Sequence, residues 1–393
     1  MASGGHGKKR GITGEIKAIT GRIPGEIRYI LGLFLLTRAV ITLIGWGSAV
    51  VLAGPCRLGS WTFTDVKSVW NLWYGRDTHK YVHLATHWYP RCEGCFNSLD
   101  YGFFPFYPML LRILSLGSKS EELVYFVGLA VSNVSLLVAA YYLFKLVKLD
   151  YGEETAYRAV KYLLIFPTSV ILSKVQTEGL FLALLTVTFY HARRGRWLKS
   201  GVSGYFLALT RVAGLLAFIP LVYEYLRGVK FKARSIGPNI LFTALVLLGT
   251  LSFMGYTQFK AGDAMGYVRV QEQMMKCELS NPLDIIERGL AGNNIVRLSI
   301  IVILSFLAAL IVFRKTICFT HWLLAFLLTA AMLFVGLCVV KGVLRFTAVA
   351  FPFYIMLANL TENKSVDDSM TLACAMLQGF MVVAAMDAIA FVI

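Results

Sequence analysis

Charged side chains are scarce in this 393-residue chain: only 15% of its residues are Asp, Glu, Lys or Arg. A water-soluble chain carries about a quarter. Low charge together with 57% apolar residues and a mean hydropathy of +0.66 excludes an ordinary soluble enzyme, a disordered chain and a collagen-like repeat. Acidic residues are scarcer still, 22 against 38 basic ones, for a net charge of +16. A basic excess of that size raises the question of nucleic acid. The Lys and Arg residues, however, sit in short runs between apolar stretches, as expected for the cytoplasmic loops of a polytopic membrane protein. No nucleic-acid partner is therefore expected. Membrane lipids are, and a minor share of the charge suits anionic headgroups. No repeat of fixed period is present.

The apolar runs predict an all-α bundle of about eleven transmembrane helices. Residues 1–28, with Lys8, Lys9, Arg10, Lys17, Arg22 and Arg28, read as a basic cytoplasmic segment with no removable signal peptide. Residues 29–393 read as one transmembrane domain whose first span ends near Leu52. The remaining apolar runs lie near 122–145, 159–173, 177–192, 198–210, 212–226, 236–258, 294–313, 319–340, 346–360 and 370–393. Alternation places Lys145 and Lys148, Arg193 to Arg196, Arg227 to Arg234, and Arg314 with Lys315 all on the cytoplasmic side. Two long polar segments, 53–121 and 259–293, then lie outside. The four runs between 159 and 226 are short for straight spans and are punctuated by Pro167, Gly179, Gly204, Gly214 and Pro220. Such runs suit broken helices around a cavity.

Of seven cysteines, Cys56, Cys92, Cys95 and Cys277 fall in the outer segments, where up to two disulfides with three possible connectivities are expected. Cys318, Cys338 and Cys374 fall in spans. No second CxxC accompanies Cys92 and Cys95, so a zinc or redox motif there is the weaker reading.

The densest polar chemistry follows the first span: Asp65, then Asp77, His79, His83 and His87. The run Lys80 to Trp88 reads as an interfacial helix, on which the three histidines recur every four residues and share a face. Asp77, His79, His83 and His87 are one candidate metal site, for zinc or manganese. The HExxH glutamate is absent and the i+8 ligands diverge, so a polar stripe that binds hydroxyls is the simpler reading. No cofactor is firmly implied. Downstream, Pro105 and Pro108 interrupt an aromatic run from Tyr101 to Tyr107, which reads as an interfacial element flooring a site beside Asp77. Lys174, Gln176 and Glu178 lie between two short apolar runs, and ionisable residues at membrane depth point to function. Lys174 and Glu178 could also simply pair, if the segment is helical. Arg211, Lys341 and Arg345 fall at the outer ends of spans, where the positive-inside rule does not explain them. Cations there call for an anion such as a lipid phosphate.

These segments resemble a known family in order along the chain. Asp77-Thr-His79 with Leu84, Ala85 and Tyr89 is one motif, and Phe103-Phe-Pro-Phe-Tyr-Pro108 is a second. Phe166-Pro-Thr-Ser169 through Gln176-Thr-Glu178-Gly-Leu-Phe181 is a third. Arg193 to Trp197, Leu209-Thr-Arg211, and Leu344-Arg345-Phe346 with Phe351-Pro352 complete the set. Together they resemble the PIG-V-like (GPI mannosyltransferase 2-like) family of the glycosyltransferase C superfamily. Arg76, Trp88, Gln176, Gly179 and the stretch Gln271 to Cys277 depart from that family's pattern.

The resemblance implies a glycosyltransferase C-type bundle that transfers a mannosyl group, with inversion, from a dolichyl (polyprenyl) phosphate donor to a glycan or glycolipid hydroxyl. It implies the cell membrane of a prokaryote or the endoplasmic reticulum of a eukaryote, with the site on the external or lumenal face. In that chemistry one carboxylate accepts the acceptor's proton, and cations hold the phosphate leaving group. Asp77 is the expected base, with Glu178 and Asp65 behind it, and His79 orients base or acceptor. Arg211, Lys174 and Arg345 are the expected phosphate partners, and Gln176, Lys341 and Tyr107 are further substrate-binding candidates. A transporter or lipid flippase is the competing reading from another class.

Overall fold

The computed structural model describes residues 24–52, 72–91, 99–277, 279–340 and 342–386, and among these it contains helices and turns but no strand. Helix α1 (Gly25–Leu52) is followed by α2 (Thr78–His87), α3 (Phe106–Leu114), α4 (Glu121–Tyr151) and α5 (Glu153–Ile165). Next come α6 (Glu178–Arg193), α7 (Trp197–Thr210), α8 (Phe218–Gly228), α9 (Leu245–Ala261), α10 (Gly266–Gln273) and α11 (Pro282–Ala291). The chain closes with α12 (Asn294–Val312), α13 (Phe319–Phe334), α14 (Val343–Ala348), α15 (Pro352–Leu360) and α16 (Lys364–Met386).

Five of these elements are long and apolar enough to cross a membrane: α1, α4, the continuous stretch Pro238–Ala261, α12 and α16. A sixth span results if the 3₁₀ segment Pro167–Ser173 and α6, bent by 98°, count as one broken crossing. The expected count of eleven exceeds this because hydropathy reports burial without saying whether lipid or protein does the burying. Runs of 10–14 residues are more often buried helices or re-entrant pieces than full spans. Residues 159–173 illustrate the point, since they divide into the end of α5 and the 3₁₀ segment, nearly all of it buried against protein.

Helix α4 is the central post. Ser120 caps its first turn by accepting from the Leu123 N–H, and Glu121 and Glu122 complement the positive end of its dipole. At ~46 Å, from 31 residues, it outreaches a bilayer core. Helices α5 and α6 pack along it. Gly179 of α6 lies close against α4 and the 3₁₀ segment, where a Cβ would stand 2.5 Å from the Leu172 carbonyl oxygen and 2.9 Å from that of Ser132. Both obstacles are backbone, so neither can swing aside. Replacing Gly179 with Ala should force α6 away from α4, lowering the thermal midpoint by the equivalent of ~1–3 kcal/mol. An unchanged melting curve would show that the helices separate freely there.

Pro167 breaks the chain after α5 and leaves carbonyls near its C-terminus without helical partners. Two buried side chains from other helices satisfy them. Arg38 of α1 donates to the Leu164 and Ser169 carbonyls and to the hydroxyls of Ser169 and Ser173, at 2.7–3.2 Å. Gln378 of α16 donates to the carbonyls of Leu164 and Phe166, at 3.0 Å each. The break is thus held rigidly, and Lys174, Gln176 and Glu178 leave it in fixed directions.

Cys277 is bonded to Cys338 rather than to one of the three cysteines expected to share its side. Cys338 was expected inside a span reaching residue 340. Helix α13 instead stops at Phe334, Gly336 turns at φ +97°, and Cys338 lies beyond the turn. Cys56, Cys92 and Cys95 fall outside the described residues.

Candidate active site

The segment before α2 is stitched to the segment before α6. Val175 N–H donates to the Trp73 carbonyl, and the Thr78 hydroxyl donates to the Val175 carbonyl while accepting from Gly75 N–H. Gly75 is obligatory in this seam, because a Cβ there would lie 1.6 Å from Nε2 of Gln176. Gln176 is itself 1% exposed and has no room to retreat. The seam brings Asp77 beside residues about a hundred positions later in the chain.

Four charges meet there. Glu178 opens α6 and uses Oε1 alone to accept from Arg211 Nη1 at 2.6 Å and from Arg345 Nε at 2.8 Å. Arg345 also reaches Asp77 Oδ2 at 2.7 Å through Nη2. Arg211 takes a further bond to the Thr177 hydroxyl and lies over the Phe346 ring. The guanidinium of Arg345 is buried, which disfavours its charge, but Glu178 and Asp77 outweigh that cost and raise its pKa above the ordinary value. The carboxylates differ in access: the Glu178 side chain is 0% exposed and that of Asp77 is 24% exposed. Only Asp77 can meet a molecule arriving from solvent.

Lys174 is buried in the same place and takes part in no ion pair among the described residues. Its pairing with Glu178 does not occur because residues 174–177 are not helical, and Arg211 and Arg345 occupy the carboxylate instead. Three cations therefore face two carboxylates, leaving one positive charge over. Oε1 of Gln176 is buried without a hydrogen-bond partner, as is Oε2 of Glu178.

His79, His83 and His87 do share the outer face of α2, with the His83 and His87 rings stacked at 4.5 Å. With Asp77 they do not converge as metal ligands, since its carboxylate is turned toward Arg345. Tyr107 is fully buried, with its hydroxyl engaged by Ser132 and the Gly128 carbonyl of α4. These bonds tie α3 to α4. The Tyr81 ring meets Phe103 and Tyr107 edge-on, so the aromatic element does support the helix that follows Asp77. Asp65 and Lys341 lie outside the described residues. Sequence reasoning missed Arg38, Gly75 and Thr78, of which Arg38 carried a signal, being an ionisable residue in the middle of an apolar span.

No family model matches the sequence, and no curated protein does. The architecture does have solved counterparts. The crystal structure of ArnT from Cupriavidus metallidurans bound to undecaprenyl phosphate matches it with a TM-score of 0.55 at 13% identity, over 90% of this chain and 64% of that one. The chain has the glycosyltransferase C fold. An Archaeoglobus fulgidus oligosaccharyltransferase tethered to an acceptor peptide matches at TM-score 0.43 and 13% identity, over 93% of this chain and 55% of that one. This chain thus spans just under two thirds of ArnT and little more than half of the oligosaccharyltransferase. Within the glycosyltransferase C fold, the four-charge cluster sits where the broken α5–α6 connection meets α2 and α14.

Proposed function

We propose that the chain is a membrane glycosyltransferase that moves a mannosyl group from a polyprenyl phosphate, dolichyl phosphate in a eukaryote or archaeon, to a hydroxyl of a glycan or glycolipid. The observation that carries this reading is the surplus positive charge formed by Lys174, Arg211 and Arg345 around Glu178, with one accessible carboxylate, Asp77, at its edge. A phosphate oxyanion would complete the charge balance. The match to ArnT, a protein solved with undecaprenyl phosphate, supports a lipid phosphate as that anion. An apolar cavity of about 200 Å³ is lined by Val212, which follows Arg211 in the chain, and by Leu215, Phe253, Met254 and Tyr267, a surface suited to a prenyl chain. The choice of mannose rests on the motif resemblance to PIG-V-like enzymes.

The reaction needs few parts. The acceptor oxygen attacks the anomeric carbon while the bond from that carbon to the phosphate oxygen breaks, its electron pair leaving with the phosphate. The acceptor's proton passes to Asp77. Phosphate is a weak base, so cations suffice to stabilise its departure and no general acid is required. Arg345 touches both Asp77 and Glu178, which couples the two halves of the site. When phosphate arrives it competes for Arg345, and Asp77 is released to act as base. Glu178, inaccessible and doubly bonded, positions the arginines. His79 is exposed in the first turn of α2 and suits an acceptor hydroxyl. The Cys277–Cys338 bridge favours an oxidising compartment on this side, hence the external or lumenal face.

Binding of dolichyl phosphate to the purified protein, followed by native mass spectrometry beside uncharged dolichol, tests the reading. The phosphate lipid should bind preferentially, and Lys174→Ala should weaken it ten- to a hundredfold, corresponding to loss of a charged hydrogen bond of ~1.5–3 kcal/mol. Equal binding of both lipids, or full affinity in Lys174→Ala, would overturn the assignment of the cations.

A further inference from the structure

A second polar cluster lies at the opposite end of α6 from Glu178, ~22 Å away along the helix. Asp150 stands near the end of α4, Cys318 immediately precedes α13, and His321 lies within its first turn. A carboxylate oxygen of Asp150, the sulfur of Cys318 and an imidazole nitrogen of His321 all lie within 4.8 Å of one another. Among the described residues this is the one group of three such side chains so closely placed.

Two polar atoms of these side chains lack hydrogen-bond partners. His321 is 2% exposed, and its Nδ1 makes no hydrogen bond. Asp150 gives Oδ1 to Arg193 Nε at 2.7 Å, while its Oδ2 is buried and unbonded. Orphaned polar atoms on two neighbouring buried groups are costly unless something binds them. The arginines near the group are already answered by carboxylates. Arg193 and Arg227 are matched by Asp150 and Glu224, and Glu224 also accepts from the Thr320 hydroxyl at 2.6 Å.

We infer that Asp150, Cys318 and His321 form a binding site for a divalent cation of the zinc class, joining the end of α4 to the start of α13. Mixed sulfur, nitrogen and oxygen ligands select zinc over calcium or magnesium, which take oxygen alone. Zinc ligands at 2.0–2.3 Å stand ~3.3–3.8 Å apart, so closure needs side-chain shifts of ~1 Å. The basic runs at Arg193 to Arg196 and Arg314–Lys315 flank this end of the bundle, the pattern of a cytoplasmic face, where a thiol stays reduced. The contrast is with Cys277 and Cys338, which are oxidised. The site lies away from the four-charge cluster, so its role is to fix two helices, and it stands or falls independently of sugar transfer.

The test uses the full-length protein purified without chelator. Elemental analysis should find about one zinc per chain, and after exchange into Co(II) the protein should show a thiolate-to-cobalt charge-transfer band. The variants Cys318→Ser and His321→Gln should lose the metal and the band, and Cys374→Ser, at the other free thiol among the described residues, should keep both. Chelation should lower the melting temperature of the wild type but not of Cys318→Ser. The cobalt titration of wild-type protein needs no variant to fold. A wild type that carries no zinc and develops no thiolate–cobalt band would overturn the proposal, as would a band that persists undiminished in Cys318→Ser.

Discussion

Asp77→Asn should reduce sugar transfer by 10²–10⁴-fold while leaving the amount of folded protein and the binding of polyprenyl phosphate near the wild-type level. The substitution keeps the shape of the side chain, and the amide oxygen can still accept from Arg345, but an amide does not take up the acceptor's proton. The size of the drop is what loss of a positioned general base costs. Turnover and donor affinity separate the two roles Asp77 could play, because an anchor for Arg345 would show itself in donor binding and a base in turnover. Steady-state rates at saturating donor, with affinity measured on the same preparation, make that comparison. A wild-type turnover in Asp77→Asn would place the base elsewhere, with Asp65 the next carboxylate to examine.

Glu178→Ala should act on stability first. Its carboxylate is fully buried between two guanidinium groups, and removing it leaves Arg211 and Arg345 facing each other with Lys174 nearby and Asp77 as the remaining counter-charge. Breaking a buried ion pair by deleting one partner costs ~3–5 kcal/mol, a large part of the stability of most folded domains. Thermal unfolding in detergent should show a clear drop in midpoint, partly restored by added polyprenyl phosphate, whose oxyanion takes the place of the lost carboxylate. Glu178→Ala with an unaltered midpoint would mean that the arginines are solvated rather than held. A fall that phosphate lipid does not reverse would dissociate the cluster from the donor.

Much of the membrane frame was legible from hydropathy. The first span, the span after the polar segment and the span near 294–313 fall where the apolar runs predict them, because long helices facing lipid must be apolar throughout. The short runs were legible as interrupted but not as broken: hydropathy carries no information on the 98° bend after Ser173, which depends on Arg38 and Gln378 arriving from helices far away in sequence. The site had a similar division. Glu178, Arg211 and Arg345 could each be singled out as charges where apolar residues are the rule, and Asp77 as a carboxylate in the densest polar stretch. Their convergence spans 268 residues, from Asp77 to Arg345, and no local pattern encodes it. Thr78 and Gly75 escaped notice for the same reason, since what makes them necessary is a seam with Val175 and Gln176. For Tyr107 the sequence shows the ring and not its surroundings. An aromatic residue in a motif invites a binding role, yet its hydroxyl is satisfied within the protein.

Transfer itself is the most direct measure of the central claim. The purified protein, reconstituted in liposomes, would be given dolichyl-phosphate mannose labelled in the sugar together with glycolipids extracted from its native membrane. Label recovered in the glycolipid fraction would be followed by mass spectrometry, alongside release of dolichyl phosphate. The account predicts equal amounts of labelled product and free dolichyl phosphate, an inverted anomeric linkage, and loss of both signals in Asp77→Asn. Donor carried intact across the bilayer with no product formed would contradict it and identify a lipid carrier instead.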